Sequence, residues 1–233
     1  MESFLRRLKY YGIGFSIGLV FVFIFFQNRG CSWLPSNRVK NAFLDRVVVI
    51  SEDQYKIFKD KGISEDDITQ VLNDGSVDFS QSDTEGDLKV YKLSKELDGK
   101  GVVDFYFSLP NESFVSEVFL SSKNVNDVKN STKGFGHIIH YPNDEHMLFL
   151  DSSTIINCKL KELGFKDADA LFKVVKKQGM LDFSKTNFVE KPKAIQYISI
   201  FENQKQKFGL KTIWYKNKIN VVAIDTDSTS QCL

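Results

Sequence analysis

The stretch FKDKGISEDDITQVLNDGSVDFS, residues 58–80, decides how the chain reads. Lys61-Gly62-Ile63 interrupts one apolar-periodic run and Ser64 opens the next, with Asp67 placed to complete a capping box. Glu65, Asp66 and Asp67 fill the first turn, where negative charge meets the positive end of the helix dipole. Ile68, Val71 and Leu72 recur at helical spacing and give that helix a buried face. Gly75 is expected to end it in a left-handed conformation. A second box, Ser51 with Gln54, is expected to open the preceding helix.

Residues 160–184 repeat the pattern. Leu160-Lys161-Glu162-Leu163-Gly164-Phe165 answers Phe58 to Ile63, Gly179 answers Gly75, and Leu181-Asp182-Phe183-Ser184 answers Val77-Asp78-Phe79-Ser80. Segments rich in β-branched and aromatic residues follow each helical part: Val102 to Leu109 and Phe114 to Leu120, then Phe208 to Tyr215 and Ile219 to Ile224. The class expected is α+β, as two repeated units, each of two helices and a three-stranded antiparallel sheet.

Ahead of these units stands an apolar run. After Arg6, Arg7 and Lys9, residues 10–28 (YYGIGFSIGLVFVFIFFQN) carry no charge; nineteen residues give about 28 Å of helix, close to a bilayer's hydrocarbon thickness. Bulky Phe25 and Phe26 do not suit signal cleavage, so an uncleaved transmembrane helix is expected. The denser N-terminal charges point to a single pass through the inner membrane, N-terminus cytoplasmic and globular part periplasmic. Gly14 and Gly18 make a GxxxG face that can pair two such helices into a homodimer.

The organisation expected is therefore a basic tail (1–9), a transmembrane helix (10–28), a juxtamembrane segment (29–47), a first repeat (48–122), a linker and hairpin (123–148), a second repeat (149–226) and a C-terminal tail (227–233).

Composition narrows the function. With 31 basic and 30 acidic side chains, the formal charge of +1 provides no general field for gripping nucleic acid. All five arginines (Arg6, Arg7, Arg29, Arg38, Arg46) fall in the first 46 residues, so the folded part lacks the guanidinium forks of a phosphate-handling site. Neither a GxSxG, an HExxH nor a P-loop pattern occurs.

The three histidines, His137, His140 and His146, lie close in sequence and are the weak candidates for a metal site. A hairpin pairing Tyr141 with His146 would turn His137 and His140 to opposite faces and hold His137 about 13 Å from His146, which argues against shared ligation. Asp78/Ser80 and Asp182/Ser184 read as polar turns, with Phe79 and Phe183 as core anchors. Cys158, in an apolar helical stretch, reads as a buried hydrophobe; Cys31 and Cys232 could bridge if both lie in an oxidising compartment, although nothing in the sequence fixes their separation.

Residues 31–41 (CSWLPSNRVKN), with Gly62 to Gly75 and Val77 to Ser80, make the N-terminal part resemble small bacterial membrane-anchored proteins. Those carry a domain of unknown function distantly similar to the BrnT and RelE type toxin fold. The resemblance covers roughly residues 1–93. Toxin-like relatives use basic and histidine side chains, and residues 51–122 contain neither Arg nor His. The function expected is thus a non-enzymatic protein-binding or scaffold module, with no cofactor and no nucleic acid, a lipid bilayer and a protein as partners. A degenerate toxin-type hydrolase is the alternative.

Overall fold

The computed structural model describes residues 2–27, 34–120, 124–143, 145–203, 205–215, 218–226 and 232. It divides into two units, residues 1–41 and 42–233. The first holds helix α1 (Glu2–Gln27). From Arg7 to Val22 every side chain of α1 is exposed, Tyr10, Tyr11 and Phe15 among them.

The transmembrane expectation is corrected here. Among the described residues no helix is long and apolar enough to cross a membrane. The side chains of residues 23–27, together with residue 28 and Cys31, lie outside what is described. The single-pass inner-membrane placement drawn from the transmembrane expectation falls with it.

In the second unit one eleven-stranded mixed sheet replaces the two small antiparallel sheets expected. Its first run is β1 (Val47–Ser51), α3 (Glu52–Asp60), α4 (Glu65–Asp74), β2 (Ser76–Asp83), β3 (Leu88–Leu97), β4 (Gly101–Pro110) and β5 (Val115–Leu120). After β6 (Phe135–His140) comes the second: β7 (Leu148–Leu150), α5 (Thr154–Glu162), α6 (Ala168–Gln178), β8 (Gly179–Asp182), β9 (Ile195–Glu202), β10 (Lys205–Tyr215) and β11 (Lys218–Thr226). The order across the sheet is β2-β3-β4-β5-β1-β6-β8-β9-β10-β11-β7.

In each run the strand before the helices returns to pair in parallel with the last strand, Val47 opposite Val115 and Leu148 opposite Ile219. β1 escaped the sequence reading because its partner lies some 70 residues away, and residues 146–150, expected to pair with 137–141, also find theirs at that distance. β6 joins the halves by pairing with β1 on one side and β8 on the other. The hairpin expected between His137 and Leu150 is therefore absent from the described residues. β7 pairs with β11 instead.

The helix pairs are wired alike. Gly62 and Gly164 take φ of +66° and +80°, and the amides of Ile63 and Phe165 donate to the carbonyls of Phe58 and Leu160 at 2.8 and 3.0 Å. This hydrogen bond closes a Schellman-type turn. Ser64 and Asp67 form the reciprocal capping box, and Asp167 caps α6 through the Ala170 amide. Ser51 caps α3 without a side-chain bond, and Gln54 instead accepts from the Leu120 amide at 3.0 Å.

Gly75 and Gly179 correct the left-handed expectation. Both are extended, φ −63° and −79°. Glycine is needed because a Cβ at either position would run into the carbonyl oxygen of the valine four residues back, Val71 or Val175. Both valines are fully buried, so the helix end cannot give way easily. Gly75→Ala and Gly179→Ala should each cost about 1–3 kcal/mol, read as a lower thermal midpoint.

Helices cover both faces of the sheet. Val47 and Val49 join a cluster with Leu171, Phe172 and Val175 of α5–α6 and their neighbours. Ile50 faces Phe58, Ile63 and Ile68 of the α3–α4 side. β1 is thus apolar at four successive positions because it is buried on both faces. Phe43, from the end of helix α2 (Pro35–Leu44), sits 5.1 Å from Phe107 and 6.0 Å from Tyr91. Phe183 is a core residue as expected, whereas Phe79 is 42% exposed and only edges against Tyr91.

Candidate binding groove

The turn between α3 and α4 builds an open cavity of about 450 Å³. Its floor is apolar: Ile50 from β1, Phe58 from α3, then Ile63 and Ile68. The Gly62 turn directs the chain so that Ile63 lies under the helix ends. The capping box then turns Asp67 inward, where its carboxylate takes the Ser64 amide at 2.8 Å and Lys100 at 2.5 Å. These bonds hold Asp67 below the usual carboxylate pKa, against the opposing effect of its desolvation. Glu65 and Asp66, left without such ties to the box, stand exposed on the rim.

Tyr55 forms the opposite wall. Its ring stacks on His137, centroids 4.3 Å apart, and Lys59 Nζ lies 5.9 Å from the Tyr55 centroid. Burial pulls the His137 pKa below its usual value, opposed by the carboxylates of Glu52 and Glu65. Lys59 lines the same cavity as Glu65 and Asp66, so the carboxylates there outnumber the cation two to one.

No family model, curated protein or solved structure matches this chain. Its site must be argued from its own residues.

The three histidines have three different surroundings. His137 stacks on Tyr55, His140 Nε2 lies 3.0 Å from the Leu44 carbonyl oxygen, and exposed His146 sits 3.0 Å from Asp169 Oδ1. The structure therefore does not bring them together. Asp78 and Asp182 each accept the amide two residues on, at 3.0 Å, from Ser80 and Ser184. Gly14 and Gly18 on α1 have nothing within 4 Å of where a Cβ would stand.

Three features escaped the sequence reading. Glu117 is fully buried in β5, its carboxylate taking the Ser131 amide at 2.7 Å, the Ser131 hydroxyl at 2.6 Å, and the Ser51 hydroxyl. Desolvation pushes its pKa up to about 7 in spite of these bonds. Arg46 donates to the carbonyls of Pro110 and Ser113 and lies over the Phe114 ring, fixing the β4–β5 turn. Burial lowers its pKa to about 10, with Asp45 opposing.

Cys158 bridges Cys232, so neither the buried-thiol reading of Cys158 nor the pairing of Cys232 with Cys31 stands. A lone Glu inside the apolar run Phe114 to Leu120 was the one available sign of the buried acid. Nothing local marked the disulfide, because its halves lie 74 residues apart.

Proposed function

We propose that this chain is a non-enzymatic protein-binding module. The α3–α4 groove takes a short partner segment that presents an apolar side chain next to a lysine or arginine. The observation that carries this reading is a cavity of about 450 Å³ with an apolar floor, at most 8% exposed, lined beside that floor by the carboxylates of Glu65 and Asp66. An apolar side chain entering the groove leaves water, and a neighbouring cation meets the acidic rim without being buried. At the matching place in the second run, half-buried Phe165 packs 5.9 Å from Phe208, against the core.

A peptide-display selection against the purified full-length chain tests the proposal. Enriched peptides should combine a basic residue with an adjacent bulky apolar one. Fluorescence anisotropy should then show binding about tenfold weaker after Glu65→Lys with Asp66→Lys, roughly 1.4 kcal/mol, and weaker still in high salt. Ile63→Asp should abolish it. Enrichment indifferent to all of these changes, or no enrichment, overturns the groove as the binding site.

A further inference from the structure

We propose that Cys158, Cys232 and Glu162 form a zinc site when the disulfide is reduced, so that one cluster is a covalent staple in one redox state and a metal centre in the other. Cys158 and Glu162 lie four residues apart on α5 and therefore share a helix face. Lys159 Nζ donates to the Ile224 carbonyl at 2.7 Å, which ties the end of β11 against α5. The Cα atoms of the two cysteines are 5.7 Å apart. Both sulfurs and a Glu162 carboxylate oxygen lie within 4.8 Å of one another.

Tetrahedral zinc, with Zn–S of about 2.3 Å and Zn–O of about 2.1 Å, needs its ligand atoms roughly 3.5–4 Å apart. Side-chain rotation at three residues meets that requirement once the S–S bond is open. Two thiolates favour a soft or borderline ion, and the carboxylate favours zinc over cuprous copper. The reaction balances. A dithiol reductant gives two electrons and two protons to the disulfide and itself becomes a disulfide. Zinc then displaces the two thiol protons, and water takes the fourth position.

The test titrates zinc, in competition with a chromophoric chelator, into full-length protein that has been reduced and freed of reductant. One equivalent should bind per reduced chain and none per oxidised chain. Glu162→Gln should bind about tenfold more weakly, while Cys158→Ser or Cys232→Ser should bind none. Cobalt in place of zinc should give a thiolate charge-transfer band that disappears in either cysteine variant. Far-UV circular dichroism of the reduced chain, before and after metal, reports whether the sheet persists. Glu162→Gln keeps both cysteines, so it discriminates even if a serine variant fails to fold. Absence of stoichiometric uptake, uptake unchanged by Glu162→Gln, or loss of the sheet on reduction overturns the proposal.

Discussion

Glu117→Gln should remove about 2–3 kcal/mol of pH dependence from the stability of this protein, and at pH 8 should make it more stable than the parent. In the folded state Glu117 titrates near 7, whereas an exposed glutamate titrates at 4.5. Its folded pKa is raised, so the folded chain holds a proton that the unfolded chain has released. The stability this provides is fully present below about pH 4.5 and is lost as pH rises through 7. A shift of that size corresponds to about 3 kcal/mol.

Glutamine keeps an acceptor for the Ser131 amide and carries no charge to desolvate, so it mimics the protonated acid at every pH. His137 acts in the opposite sense, since its lowered pKa makes protonation destabilising as pH falls below its ordinary value. Subtracting the variant's denaturation curves from the parent's between pH 5 and 8 cancels that contribution. Parallel curves for the two proteins would sink the argument. Glu117→Ala should behave differently: it leaves the Ser51 and Ser131 donors facing an apolar gap and should destabilise at all pH values.

Reducing the Cys158–Cys232 bridge should cost about 4 kcal/mol, a second effect of similar size. The closed loop spans 74 residues and contains α6 and β8 to β11. On chain-entropy grounds, cross-linking a loop that long removes about 4.5 kcal/mol of unfolded-state freedom, the upper end of what such bridges deliver. Guanidinium denaturation with a metal chelator present, oxidised against reduced, measures it free of any zinc contribution. Equal midpoints would show that the C-terminal end is held by packing alone.

Both predictions concern residues whose chemistry no local reading announced. Phe114 to Leu120 alternates well enough to be read as a strand, but whether Glu117 points to water depends on what covers each face. In a strand flanked by β4 and β1 with helices on the sheet's two sides, neither face is wet. The groove shows the same division. Ser64, Asp67 and Gly62 are readable from residues 58–68, since each acts on atoms within five positions. The stacking of Tyr55 on His137 depends on β6 lying beside β1.

From the amino-acid order alone came the helix pairs, their caps and turns, the strand-rich tails and the recurrence of residues 58–80 at 160–184. All of these rest on hydrogen bonds and side-chain periodicities that close within one or two turns of chain. Tertiary structure decided that a single sheet runs through both halves and that β1 and β7 return in parallel to β5 and β11. It also decided that Cys158 meets Cys232 and that Glu117 is dry. Those outcomes join residues far apart in the chain, Val47 to Val115, Ile50 to His137 and Cys158 to Cys232 among them, where a partner is chosen by the packing of the whole core.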